Sequence, residues 1–69
     1  MQKLSARNQI KGRILEVRTG VTTSHVRIDI GNHIAISATI TNEAVAELGL
    51  KHGVEAWAVI KASDVMIGV

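Results

Sequence analysis

The chain has 69 residues, which is enough for one domain (1–69) and too few for a second. So short a chain buries only about 60% of its unfolded surface, and without cysteine it has neither disulfides nor thiolate metal sites to stabilise it. Hydrophobic residues make up 46% of the sequence, which favours oligomerisation, and the net charge of +2 is too small to indicate a nucleic-acid-binding stripe.

The first half of the chain predicts two strands and a hairpin turn. "IKGRILEVR" (10–18) has mixed faces, as in a strongly coiled strand, and "TGVTT" (19–23) is a turn. "SHVRIDI" (24–30) alternates apolar and polar residues, which indicates a half-buried strand. Gly31-Asn32 is a strong hairpin signal, so "HIAISATI" (33–40) is predicted to return as a third strand.

The period then changes to that of a helix. Over 41–50, Thr41 is a candidate N-cap and Gly49 a candidate C-terminal stop, with a buried stripe that includes Leu48. "VEAWAVIK" (54–61) predicts a fourth strand and "VMIGV" (65–69) a short fifth. Five strands with one short helix between strands 3 and 4 predict an all-β, OB-like barrel.

Such a barrel first suggests binding of single-stranded nucleic acid, which depends on aromatic platforms for the bases. The only aromatic residue is Trp57, for which the apolar fourth strand predicts a core position, so nucleic-acid binding is kept as the alternative function. The acids are spread over separate elements and there is no phosphate loop, so we predict no enzymatic activity. The three histidines are scattered, which predicts no protein-ligated metal ion.

Binding of a small anion agrees better with the sequence. Arg7 stands just before strand 1 and Lys61 at the end of strand 4, and these strands pair antiparallel in an OB barrel. Each cation has a serine two residues away, Ser5 and Ser63, and Thr41 precedes a helix start that can supply N–H donors. Taken singly, these are ordinary surface residues, and the hypothesis rests on their coincidence.

No apolar run approaches the roughly 20 residues of a membrane span, and the first four residues lack the apolar stretch of a signal peptide. We therefore expect a cytoplasmic protein without a membrane partner. A purely structural oligomerisation domain remains a further alternative, in which residues 5–8 only brace one subunit against another.

Three segments, "SARNQIKG", "ELGLKHG" and "VIKASDVMIGV", closely resemble the molbindin (Mop) family of small molybdate-binding, TOBE-type domains. The resemblance covers nearly the whole chain in the right order. It implies a homohexamer, built as a trimer of dimers, that holds molybdate or tungstate at subunit interfaces for storage or homeostasis. It implies no other cofactor and no catalysis.

Carried over residue by residue, the resemblance implies oxyanion contacts on three segments and a second site at a turn. The oxyanion-binding residues are Ser5, Ala6, Arg7, Thr41, Lys61, Ala62 and Ser63, and the second site is placed at Gly20, Val21 and Thr22. Molybdate is a tetrahedral dianion without a proton to donate. A site lined only with donors therefore suits it and offers no acceptor for the proton of hydrogen phosphate.

Overall fold

The computed structural model describes residues 5–69, and the first four residues of the predicted domain lie outside the described residues. The described chain is mostly β, with an antiparallel sheet in the order β3-β2-β1-β4 and one short helix. Its elements are β1 Asn8–Thr19, β2 Thr23–Gly31, β3 Ile34–Thr41, α1 Asn42–Leu48, β4 Glu55–Ile60 and a 3-10 turn Ala62–Asp64.

Strand β1 is the centre of the sheet because its two halves pair with different neighbours. Its first half, from Asn8 to Arg13, pairs antiparallel with β4, as predicted. Its second half, from Arg13 to Thr19, pairs with β2, and the register shifts between Ile14 and Glu16. A bulge of this kind bends a strand and increases its twist, so the sheet curls around its inner face.

The inner face of the sheet carries the core, which consists of Ile14, Val26, Ile28 and Ala58. The prediction that Trp57 is a core residue is wrong, since its side chain is 39% exposed. Side chains alternate between the two faces along a strand, and in β4 the inward positions are those of Ala56, Ala58 and Ile60. Trp57 therefore lies on the outer face, opposite Lys11 of β1.

Local signals at the turns and helix ends give the structures they predict. Gly31 and Asn32 take positive φ angles of 95° and 53° at the hairpin. Thr41 caps α1, its Oγ1 accepting a bond from the Ala44 N–H, and Gly49 ends the helix in the left-handed region. The predicted burial of Leu48 is wrong, because this side chain lies at the open end of the inner face and is 66% exposed.

The predicted fifth strand over 65–69 does not form within the described chain. The 3-10 turn Ala62–Asp64 ends β4, and the segment beyond it pairs with neither sheet edge. Its side chains stay in solvent, with Met66 and Ile67 about nine-tenths exposed. A strand needs a hydrogen-bonding neighbour, and this segment has none in the described sheet. The sheet is therefore an open, curled half-barrel.

Gly12 allows β1 to approach β2 closely. A Cβ atom at this position would meet the Asp29 carbonyl oxygen and would lie 2.8 Å from Cγ2 of Ile28. We predict that Gly12→Ala lowers the free energy of unfolding by about 1–3 kcal/mol, because the backbone of β2 must move. Urea denaturation measures the change, with Ser37→Ala as the control, since Ser37 is an exposed residue on β3. Equal stabilities of the two variants would contradict the prediction.

Candidate functional site

Six of the predicted anion-binding residues lie together at the start of β1, and we call them the β1-start cluster. In the antiparallel ladder Asn8 pairs with Ile60. Arg7 directly precedes this pair on one strand and Lys61 directly follows it on the other, so both cations leave the sheet at the same end. The cluster consists of Ser5, Ala6, Arg7, Lys61, Ala62 and Ser63.

The two cations of this cluster are available to an anion. Arg7 and Lys61 are both exposed. The ion pairs within residues 5–69 join Lys11 to Glu55 and join both Arg18 and Arg27 to Glu16, so neither cation of the cluster takes part in one. A guanidinium offers directed N–H donors and an ammonium a compact charge, which together suit a doubly charged oxyanion.

Two side-chain amides that the sequence analysis did not single out hold the cluster in place. Asn8 Nδ2 donates to the Ile60 carbonyl at 3.2 Å, which fastens the first residue of β1 to the last of β4. Gln9 Nε2 donates to the Ala6 carbonyl at 2.9 Å and so folds the segment before β1 back onto the strand. The sequence did contain a signal for this role, namely the two consecutive amide side chains of Asn8 and Gln9, directly after Arg7 at the start of a strand.

The Lys61 side of the cluster is shaped by the 3-10 turn. The Asp64 N–H donates to the Lys61 carbonyl at 2.9 Å, and the Val65 N–H donates to the Ala62 carbonyl at 3.3 Å. Both carbonyl oxygens are therefore used inside the turn.

The other predicted residues, Gly20, Val21, Thr22 and Thr41, form a second group together with Asn42, and we call these five residues the β1-end cluster. Asn42, at the first position of α1, organises this group. Its Nδ2 donates to the Gly20 carbonyl at 3.0 Å and lies 3.3 Å from the Val21 carbonyl, while its backbone N–H donates to the Thr22 carbonyl at 3.0 Å. The turn predicted as a second site thus lies directly against the start of the helix.

Asn42 also satisfies a buried hydroxyl. Ser24 is 1% exposed, and its Oγ donates to Asn42 Oδ1 at 2.5 Å. The sequence analysis missed Asn42, although an asparagine directly after a capping threonine is a usable signal, since asparagine favours helix ends over helix interiors.

The structure does not bring Thr41 to the other predicted anion ligands. Thr41 pairs with Thr23 at the start of β2, next to the end of β1, whereas Arg7 and Lys61 lie at its start. Strand β1 has 12 residues, so its contour is about 36 Å at 3.3 Å per step. Within one chain, Thr41 and Arg7 therefore belong to separate clusters.

Residues 5–69 contain no group of three or more histidine, aspartate or glutamate side chains placed to hold a metal ion. Among the described residues, no helix has the length and apolar character needed to cross a membrane.

Comparison with known proteins places this geometry in a family. The TOBE domain model matches residues 4–67. The probable molybdenum-pterin-binding protein of Haemophilus influenzae is 48% identical over 67 residues, which cover 97% of each chain. Molybdenum-pterin-binding protein 1 of Clostridium pasteurianum is 45% identical over 64 residues, covering 93% of this chain and 94% of the relative.

Solved structures agree with the sequence matches. MopII from Clostridium pasteurianum superposes with a TM-score of 0.90 at 42% identity, covering 97% of this chain and all of MopII. The cytoplasmic molybdate-binding protein ModG, solved with molybdate bound, superposes with a TM-score of 0.94 at 46% identity. That match covers 99% of this chain and 48% of the ModG chain.

The bonds of Asn42 generate a stability prediction. Asn42→Ala leaves the buried Ser24 hydroxyl without its acceptor and removes the side-chain bonds from the helix to the turn, and we expect a loss of about 1–3 kcal/mol in unfolding free energy. Asn42→Asp is the comparison variant, because it keeps an acceptor for Ser24 and replaces the donor to the turn with a carboxylate oxygen. Thermal unfolding should rank wild type above Asp and Asp above Ala, and an alanine variant as stable as wild type would contradict the prediction.

Proposed function

The chain belongs to the TOBE-domain family and, within it, to the small molybdenum-pterin-binding (Mop) proteins, and on that premise we propose that it binds molybdate or tungstate without catalysis. The oxyanion is held at interfaces between subunits. The role we assign is intracellular storage and homeostasis. We place the protein in the cytoplasm because the similar protein ModG is a cytoplasmic molybdate-binding protein.

The observation that carries this proposal is the register of β1 and β4. Because Asn8 pairs with Ile60, Arg7 and Lys61 leave the sheet at the same end. Ser5 and Ser63 lie two residues beyond these cations, and their hydroxyls complete a set of donors from two distant parts of the chain. The single domain formed by this chain is the binding unit.

The chemistry of the donors fits the ligand. Molybdate carries two negative charges and accepts hydrogen bonds on all four oxygens. Charge-assisted bonds from Arg7 and Lys61 are about twice as strong as neutral ones, and serine hydroxyls and backbone N–H groups can complete the shell. No other cofactor is needed for binding of this kind.

Thr41 joins such a site only from a second copy of the chain. It lies at the opposite end of β1 from Arg7, so a site that uses both residues takes the β1-start cluster of one subunit and the β1-end cluster of another. This is the role we assign to Thr41. Gly20, Val21 and Thr22, which Asn42 holds beside Thr41, are then a second oxyanion site in the assembly.

The apolar surface of the chain supports assembly. The inner face of the half-barrel opens into a groove of about 470 Å³, whose lining includes Ile28, Ile40 and Leu50. The segment 65–69 is apolar and exposed, and β3 and β4 each have an edge with no neighbouring strand in the described chain. We assign this segment to the groove of a second copy, where it closes the barrel as a fifth strand. The resulting dimers assemble as a trimer, giving a homohexamer.

The exposure of Trp57 favours one second candidate function. Its ring lies on the outer face beside Lys11, where a nucleobase can stack on it. A single aromatic side chain gives one such contact, whereas binding of a strand uses several in succession. Binding of single-stranded nucleic acid by this face would weaken steeply with added salt and would require Trp57, and neither property is expected of oxyanion binding.

Replacement of Arg7 tests the proposed site. We predict that Arg7→Ala abolishes high-affinity molybdate binding, because one of the two cations is lost, and leaves the fold intact, because the side chain is exposed. Equilibrium dialysis with elemental analysis of molybdenum, in excess sulfate and phosphate, measures retention. Arg27→Ala is the matched control, since Arg27 is an exposed arginine in the middle of β2, away from both clusters.

Two outcomes would contradict the proposal. Wild-type protein that is folded and oligomeric but retains no molybdenum would refute oxyanion binding altogether. Wild-type affinity in Arg7→Ala would refute the β1-start cluster as the site. Loss of single-stranded DNA binding in Trp57→Ala, with no molybdate bound by wild type, would favour the second candidate.

Assembly has a test of its own. We predict a hexamer by analytical ultracentrifugation at micromolar concentration, and dissociation in Ile67→Asp, because a charge cannot enter the apolar groove. The control His52→Asp adds the same charge on the exposed turn before β4. A wild-type monomer, or a hexamer that both variants retain, would rule out the role assigned to residues 65–69.

A further inference from the structure

Two backbone carbonyl oxygens beside the cations of the β1-start cluster are covered by side-chain amides. The Ala6 carbonyl, directly before Arg7, accepts a bond from Gln9 Nε2 at 2.9 Å. The Ile60 carbonyl, directly before Lys61, accepts one from Asn8 Nδ2 at 3.2 Å. Asn8 and Gln9, which we call the amide pair, thus serve one carbonyl on each of the two segments that carry the cations.

The next carbonyls along the β4 side are also occupied. The 3-10 turn directs the Lys61 carbonyl to the Asp64 N–H at 2.9 Å and the Ala62 carbonyl to the Val65 N–H at 3.3 Å. Four acceptors in and beside the β1-start cluster are therefore bonded within the chain. Two of them accept bonds from the backbone of the turn, and the other two accept bonds from the amide pair.

The state of these acceptors decides which oxyanions the cluster can distinguish. A carbonyl oxygen repels a fully deprotonated oxyanion, but it accepts a hydrogen bond from the hydroxyl of a protonated one, such as hydrogen phosphate or hydrogen arsenate. Hydrogen-bond donors and cations attract both kinds of anion and therefore do not distinguish between them. A carbonyl that already accepts one bond has only one of its two lone pairs left, so it is a poorer partner for the O–H group of a protonated anion. Covering these carbonyls leaves the serine hydroxyls as the main acceptors in the cluster.

We propose that Asn8 and Gln9 are positioning residues that give the site its preference for unprotonated over protonated oxyanions. They act through the Ile60 and Ala6 carbonyls and make no contact with the anion themselves. This inference rests on the proposed oxyanion-binding function. It concerns protonation alone, so sulfate and molybdate, which are both unprotonated dianions, are affected alike.

The experiment is competition of hydrogen phosphate and of sulfate against bound molybdate, at a mildly alkaline pH where phosphate is a singly protonated dianion. In Gln9→Ala and Asn8→Ala we expect affinity for hydrogen phosphate to rise relative to sulfate. One carbonyl released per variant corresponds to about a two- to tenfold change in this ratio, the worth of one hydrogen bond. Ser37→Ala, an exposed change on β3, is the control and leaves the ratio unchanged.

Because Gln9 is exposed, Gln9→Ala keeps the strand pairing and decides the outcome even where Asn8→Ala loosens the ladder. A lower affinity for molybdate, sulfate and hydrogen phosphate by one common factor would overturn the inference and leave the amide pair a purely mechanical role. Wild-type protein that binds no oxyanion would refute the proposed function and this inference together. If wild-type protein binds molybdate but Gln9→Ala leaves the ratio of hydrogen phosphate to sulfate affinity unchanged, only this inference is refuted.

Discussion

The antiparallel ladder between β1 and β4 is the interaction on which the arrangement of the molecule depends. Six residue pairs, from Asn8–Ile60 to Arg13–Glu55, fix two segments from opposite ends of the sequence side by side. The ladder places Arg7 and Lys61 at one end although like charges repel, so backbone hydrogen bonds, rather than any attraction between the side chains, keep them there. An anion between them relieves that repulsion, which is a physical reason for a doubly charged ligand at this end of the sheet.

The same ladder leaves the chain with a small core. Four hydrophobic residues are buried in the described part of the chain, whereas Leu48, Met66 and Ile67 remain in solvent. Burial of apolar area provides most of the stability of a small domain, so this chain has much to gain from a partner that covers these side chains. Under the proposed assembly, folding and association become linked, and an oxyanion bound between subunits stabilises both.

Most of the fold could be predicted from the sequence, because strand periodicity, the Gly31-Asn32 turn and the Thr41 and Gly49 caps are local signals. The position predicted for Trp57 was wrong because an apolar strand was assumed to bury its largest residue, whereas the buried position of β4 is that of Ala58. The strand predicted over 65–69 was wrong for a different reason, since the local pattern is that of a strand but the segment pairs with neither edge of the described sheet.

The candidate site was predictable to the extent that it depends on pairing within one chain. The OB-type strand order predicts that β1 and β4 pair antiparallel, and the structure has that strand pairing. Arg7 and Lys61 therefore leave the sheet at the same end. Thr41 could not be placed, because it lies at the far end of a 12-residue strand, and only an arrangement of subunits can join it to Arg7. Strand β1 thus connects two clusters that, in the proposed assembly, face two different neighbours. A ligand that draws one neighbour into place raises the share of assembled molecules, and the interface at the other end of β1 then forms more readily. Under the proposed assembly, coupling between the sites therefore requires no change in shape within the subunit, only a strand with a binding cluster at each end.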